Sequence, residues 1–596
     1  MRIRKKATLV PAAAVALAMA LTACSGGDDE AASFADCADE PVTCNSGERA
    51  EGGEITWAID SAWEGWNYWR ADARTVYLYQ AISATFPTTG LFSPDPSGED
   101  FKYNDAVFDG PPELVEDDPQ SWQWKLREGA SWSDGEPISV DDFIWHWYHL
   151  SNDPDKCAVD EDLNCAPASD VYGSSVKAIE EVEPGTVQIT FKDGRFNPEW
   201  QYTEVMSYPA HIAEAEGFDW KNDPKDMAAS SVWFNENAPP VSAGPYVVDD
   251  AKLGDYVTLT PNEKWLGEEK PTLDKITLTV IDDVEQILTS IENEEIDGAS
   301  PANIDPDTWE RAKGIDGVET GMSKGPSWTH IDMNTQNEFL SDVELRRAIF
   351  TAINSKQIID RTFGRVQEDL PFELETKTNH LFQSDSPYHE DHVSDSGQGS
   401  GDVDAAKKIL EDAGYTWKDE VLHTPDGEKV DISFRAAEDD VIRADTADIV
   451  QAQLEELGID LGLNGIPSGD LGKVLGEGEF DMIVFGWSGD PAFSGYPQQQ
   501  WHSSSASNFG KLESDELDEA VEAVRATPDL DEAAARSNEA MSLLVDEAYV
   551  LPIVDTPVMI FAREGLVNIR DNWASSLRAM YNMNEWGIEA GGPLDE

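Results

Sequence analysis

The chain is poor in positive charge. Its 596 residues carry 42 Lys and Arg against 117 Asp and Glu, a formal net charge of -75. A surface of that sign repels phosphate backbones and anionic headgroups, which excludes nucleic acid and electrostatic adsorption to lipid. Cysteine is scarce, at 5 residues, and no His stands near a cysteine pair at finger-like spacing, which argues against a zinc site. There is no phosphate-binding loop and no His-Glu-x-x-His, so nucleotide and zinc-protease chemistry have no anchor. Apolar runs long enough to remain in a bilayer are missing too. Leu9 to Ala20 is apolar and rich in Ala, but a segment this short exports a chain rather than spanning a membrane permanently.

What is present begins at the N-terminus. Arg2, Arg4, Lys5 and Lys6 precede the apolar segment, and Leu21-Thr-Ala-Cys24 follows it. That order resembles a bacterial lipoprotein box, in which the cysteine becomes the lipidated first residue. The alternative is an ordinary signal peptide with a chance Cys. Residues 1–23 are therefore read as a signal peptide, Cys24 as the lipidation site, and 24–52, polar and acidic, as a flexible tether. Without Cys24, four cysteines remain, an even number suited to an oxidising compartment. Local pairing, Cys37 with Cys44 and Cys157 with Cys165, is the expectation, both as loop staples.

Length and 40% hydrophobic content allow several cores, so two or three lobes are expected. The 20 Trp suit a sugar or peptide cleft if exposed, and are plain core if buried. Gly53 to Ile59 alternates like a first strand. An aromatic loop follows, with Trp63, Trp66 and Trp69; Trp66 is the ligand candidate because Gly65 leaves space beside it. Ala73 to Ala84 reads as a helix. Asp402 to Gly414 places Ala406, Ile409, Leu410 and Ala413 on one helical face, with an N-cap and a glycine stop. Val450, Leu454 and Leu457 mark a second helix, and Ile459, Leu461 and Leu463 alternate as a strand. Helix alternating with strand is an α/β pattern. No internal repeat stands out.

Met482-Ile-Val-Phe485 is a short unbroken apolar run bounded by Gly486 and Gly489, which reads as a buried strand. It delivers Trp487 and Asp490 to a turn at the strand end, where ligands gather in sheets flanked by helices. A flat aromatic face beside a carboxylate suits a ligand with an apolar body and a cationic group. The alternative is a core strand followed by an Asp that caps the turn. Trp328 and Trp501 are further cleft candidates. His146 and His149 share a helical face without a third ligand, so packing is the preferred reading and no metal or cofactor is expected.

The stretch Trp122-Gln-Trp-Lys-Leu-Arg-Glu-Gly-Ala-Ser-Trp-Ser-Asp-Gly-Glu-Pro-Ile-Ser-Val-Asp-Asp-Phe143 resembles the signature of the peptide/nickel class of extracytoplasmic solute-binding proteins, receptors that feed ABC importers. Ser242-Ala-Gly-Pro-Tyr-Val-Val248 and Ile331-Asp-Met-Asn334 with Asp342 to Ile349 are similar to later blocks of that family, in its order. The resemblance implies an α/β, two-lobed periplasmic-binding-protein-like fold, with an extra subdomain inserted in the first lobe and a hinge between lobes. It divides the chain into lobe I (53–95, 241–325 and 549–596), inserted subdomain II (96–240) and lobe III (326–548).

In oligopeptide- and dipeptide-binding members, an Asp just after a Gly-Trp turn pairs with the ligand's ammonium. Gly486-Trp-Ser-Gly-Asp490 matches this up to the Asp, and the following Pro491-Ala-Phe-Ser departs from the family's continuation. The implied function is a non-enzymatic, membrane-anchored monomer on the outer face of the cytoplasmic membrane. It captures oligopeptides between its lobes and hands them to ABC permease subunits. A role in cell-envelope glycolipid assembly on the same fold is the alternative. A secreted glycoside hydrolase is disfavoured, because among 117 acids a carboxylate pair carries no signal. A serine hydrolase is disfavoured as well, since Gly486-Trp-Ser-Gly-Asp490 is not a Gly-x-Ser-x-Gly elbow.

Overall fold

A computed structural model describes residues 33–595 except 38–39, 96–99, 159–162, 302–304, 439, 468–469 and 490. Cys24 and Asp490 thus lie outside the described residues. Strand β1 (Glu54–Ile59) opens the fold, followed by the hairpin β2 (Gly90–Phe92) and β3 (Phe101–Tyr103). Four strands, β4 (Glu113–Asp117), β5 (Gln120–Lys125), β6 (Val176–Glu183) and β7 (Thr186–Phe191), make a separate antiparallel sheet in the order β4-β5-β7-β6. This is the inserted subdomain. Its core holds Trp122, Trp124, Trp132 and Trp147, the last two brought in around the helix Val140–Leu150. That helix starts as its sequence requires, with Ser139 and Asp142 forming a reciprocal capping box that satisfies two otherwise orphaned N–H groups.

The chain then returns through β8 (Tyr246–Lys252), β9 (Tyr256–Pro261), β10 (Lys275–Val280) and β11 (Gly298–Ala299) to the long β12 (Val318–Met333). The hairpin β13 (Thr416–Lys418) and β14 (Val421–His423) precedes β15 (Ser433–Ala437), β16 (Gly462–Ile466), β17 (Met482–Ser488) and a second long strand, β18 (Val550–Arg563). Among the described residues one ten-stranded sheet runs β16-β15-β17-β12-β18-β11-β1-β10-β9-β8. The strands β12 and β18 are common to both halves. Their antiparallel ladder breaks register between Lys324 and Trp328. Such an irregularity bends and twists paired strands, so the sheet divides there into lobe I and lobe III with two strands as the hinge. The two-lobed α/β fold with an insertion in the first lobe is as expected.

Several local expectations change. Residues 33–37 and 40–52 do not form a free tether. Phe34 and Cys44 are buried, and Arg570 holds the Cys44 carbonyl through Nε at 2.8 Å. An aromatic ring and a disulfide close to the first strand give this segment enough to bury. Both expected disulfides, Cys37–Cys44 and Cys157–Cys165, are formed. Ile459 and Leu461 are buried but precede the strand, which begins at Gly462. An edge strand with one neighbour is ruled by its pairing to β15 rather than by its own alternation. Most tryptophans are core. Trp57, Trp63, Trp66, Trp145, Trp220 and Trp586 belong to one cluster shared by lobe I and the insertion. His146 and His149 are buried with the aromatics, His149 stacked on Trp145 at 5.1 Å. Among the described residues no helix is long and apolar enough to cross a membrane.

Candidate functional site

At the hinge, three adjacent strands each contribute one residue at the same level. Trp328 of β12 lies opposite Trp487 of β17 on one side and Asp555 of β18 on the other. Residues opposite one another in a ladder project from the same face. Asp555, Trp328 and Trp487 therefore form a row across the floor of the cleft between lobes. Beyond it, Trp487 stacks on Phe509 with centroids 5.6 Å apart and planes at 10°. Trp501, at the end of the helix Tyr496–Trp501, meets His380 edge-on at 6.1 Å, and His380 meets Trp328 edge-on at 6.2 Å.

Two charges are set into this aromatic floor. Lys377 is tied to β18 by its backbone N–H, which donates to the Ile553 carbonyl at 2.9 Å. Its ammonium donates to Asp555 Oδ1 at 2.7 Å and to the Phe382 carbonyl at 3.3 Å, and sits 5.6 Å from the centroid of the Trp328 ring. The Lys377 side chain is 2% exposed, whereas that of Asp555 is 26% exposed. The lysine is therefore neutralised and sealed, while the carboxylate keeps an open face. Burial of the ammonium is tolerable because a carboxylate, a carbonyl and a π-face surround it.

His380 is a third polar element. Its Nε2–H donates to the Val550 carbonyl at 2.9 Å, which places the proton on Nε2 and leaves Nδ1 as an acceptor. Burial holds the imidazole down at about 3, so it is neutral at physiological pH. Asn379 fixes this loop: its Oδ1 accepts from the N–H groups of Leu381 and Phe382, both at 2.9 Å.

The roof comes from the other side of the cleft. Phe92 of β2 and Tyr202, just past β7, meet at 4.9 Å, and Trp573 reaches in from the C-terminal region, its indole N–H donating to the Pro94 carbonyl at 3.2 Å. Floor and roof enclose a chamber of about 100 Å³. An outer chamber of about 370 Å³ adjoins it and shares Phe92, Glu199, Tyr202 and Tyr496 as walls. Arg74 and Arg525 face this outer chamber.

Trp487, Trp328 and Trp501 all line the inner chamber, each also packing into the core beneath it. Gly486 lies one residue inside the strand, paired with Thr329, and does not reach the chamber. Trp66 is corrected. It is 3% exposed in the lobe I core, edge-on to Trp63 at 5.8 Å, and lines neither chamber. The room beside Gly65 is occupied by Asn235. Asp490 lies outside the described residues, but its neighbours Gly489 and Pro491 line the chamber. Sequence reasoning missed Lys377, His380, Asp555, Glu199, Tyr202 and Trp573. Asp555 sits in a near-continuous apolar strand, where a lone carboxylate is itself a signal; the others carry no local one.

Residues 112–509 match the model of the bacterial extracellular solute-binding proteins, family 5 Middle. The chain belongs to that family. Its members are the peptide/nickel class of extracytoplasmic binding proteins that serve ABC importers. The oligopeptide-binding protein OppA of Mycobacterium tuberculosis is 26% identical over 529 residues, covering 87% of this chain and 82% of that protein. The nickel-binding periplasmic protein of Escherichia coli is 24% identical, covering 76% and 81% respectively. Among solved structures, the periplasmic EDTA-binding protein EppA superposes with a TM-score of 0.83 at 29% identity, over 92% of this chain and 99% of that one. All three are named as binding proteins, which supports a binding rather than an enzymatic role for a family 5 member with this cleft.

Proposed function

We propose that this protein is a lipid-anchored monomeric receptor that captures short peptides with a free amino terminus and delivers them to an ABC permease. The carrying observation is the row Asp555–Trp328–Trp487 with Lys377 set behind it. A partly open carboxylate on an aromatic floor, with its lysine sealed behind it, suits a ligand with an apolar side chain and a cationic group. In this reading Asp490, whose sequence neighbours Gly489 and Pro491 line the chamber, pairs with the ligand ammonium. Lobe I in this reading comprises 53–95, 241–325 and 549–596, the insertion 96–240 and lobe III 326–548. Cys24 carries the lipid.

A second reading replaces the peptide by a compact polycarboxylate, such as a metal chelate. Arg525 favours it. Its guanidinium donates to Gln498 Oε1 at 2.8 Å, has no ion pair among the described residues, and faces the outer chamber with Arg74. The likeness to an EDTA-binding protein points the same way.

Calorimetry with free-amine and N-acetylated tripeptides separates the two. Peptide binding that Asp490→Ala weakens by about 2–5 kcal/mol supports the first reading. Indifference to every peptide, with binding of a citrate- or EDTA-type chelate that Arg525→Ala abolishes, replaces it by the second.

A further inference from the structure

One carboxylate ties the inserted subdomain to lobe III. Glu199 lies in the turn after β7 and is 8% exposed. Its Oε1 accepts the backbone N–H of Phe493 at 2.5 Å, and its Oε2 accepts the backbone N–H of Ser494 at 3.0 Å together with the Ser494 hydroxyl. Phe493 and Ser494 belong to the loop that leaves β17, directly beyond the Trp487 turn. The same loop is held from its own side by Tyr496, whose hydroxyl donates to the Ser488 carbonyl at 2.6 Å. Phe493 in turn packs edge-on against Phe382, centroids 5.0 Å apart, so the loop's position is passed on to the chamber wall.

We infer that Glu199 is a positioning residue for solute capture: its bridge to Phe493 and Ser494 fastens the closed cleft and sets the loop that walls the inner chamber. Three observations carry this. The bridge joins the two sides of the cleft at one carboxylate that accepts from three donors among the described residues, and hydrogen bonds to a buried carboxylate are among the strong ones. Glu199 lines both chambers, so with Phe92, Tyr202 and Tyr496 it forms the partition between them. At about 100 Å³ the inner space is below the roughly 300–1,000 Å³ usual for ligand clefts, and opening the partition would join it to the about 370 Å³ outside. Every atom of the bridge belongs to the protein, so it favours closure whichever solute is captured. The role therefore stands apart from the ligand proposed above.

The test uses the full chain stripped of co-purified solute by a denaturant wash with disulfides intact. Hydrogen exchange is followed in peptides spanning residues 489–496, with small-angle scattering alongside. In the unsubstituted protein the Phe493 and Ser494 amides are expected to exchange slowly. Glu199→Ala should speed their exchange on the order of tenfold or more and raise the radius of gyration, because the open form gains population. Ser494→Ala, which keeps both backbone donors, should give a smaller change in the same direction. Glu199→Gln, which keeps an acceptor but not the charge, should fall between them and covers the case in which Glu199→Ala does not fold. Exchange at 489–496 that is equally fast in the unsubstituted protein, or unaltered in Glu199→Ala and Glu199→Gln, overturns the bridge. Faster exchange with an unchanged radius of gyration overturns the fastening of the cleft.

Discussion

Two Gly-Trp pairs follow strands in this chain, Gly65-Trp66 after β1 and Gly486-Trp487 at the end of β17, and they end in opposite environments. Trp66 is sealed in the lobe I core, its backbone N–H donating to the Asn235 carbonyl at 2.9 Å and its carbonyl accepting the Tyr208 hydroxyl at 2.5 Å. Trp487 is half-buried, with one face stacked on Phe509 and the rest in the chamber wall. The difference comes from what lies opposite. The insertion returns the helix Pro224–Glu236 over the first pair, whereas the hinge between lobes opens in front of the second. An aromatic after a glycine is therefore no guide to a ligand until the next element in space is known.

The two environments differ most at the tryptophans themselves. Trp66→Ala should cost about 3–5 kcal/mol of stability, as large buried aromatics do, and lower the denaturation midpoint at unchanged slope. Trp487→Ala should cost only about 1–2 kcal/mol, in keeping with its smaller buried area, and weaken solute capture. Equal stability losses would mean that the two environments are the same.

The glycines give a second, smaller contrast. A Cβ on Gly65 would stand 2.2 Å from Asn235 Oδ1, an atom already accepting the Asn67 N–H at 3.1 Å and so unable to retreat. Gly65→Ala should cost about 2–3 kcal/mol by overpacking. At Gly486 the nearest atom is the Trp328 carbonyl oxygen at 3.1 Å, a milder crowding, so Gly486→Ala should cost less, about 1 kcal/mol. Denaturation curves of the two variants decide it.

The smallest effect sharpens the distinction within the cleft itself. Glu204 lines the outer chamber, and burial raises its carboxyl from 4.5 to about 7 against the hydrogen bonds from Thr89. The folded chain therefore holds this proton to about pH 7, the unfolded chain only to about 4.5. Its contribution is fully present below the lower value and is lost as pH rises through the upper one. Because the residue keeps some surface toward the cleft, the loss should be on the order of 1–2 kcal/mol. Glu204→Gln should flatten stability between pH 5 and 8 by about that amount. An unaltered pH profile would place the group in water.

Sequence alone determined the elements whose instructions are local. The Asp402 helix, the apolar run of β17 and the two short-range disulfides all depend on residues a few positions apart, and each forms as read. The ordered blocks between Trp122 and Ile349 were enough to imply the family and its two lobes. The site was legible only in part. Trp487, Trp328 and Trp501 reach the chamber, while Trp66, chosen for the space beside Gly65, does not. Lys377, His380, Asp555 and Glu199 come from segments well separated along the chain, and only the pairing of β12 with β17 and β18, with the insertion folded over them, brings them together. A side chain's ligand role depends on which surface remains uncovered after long-range packing, and no local pattern specifies that.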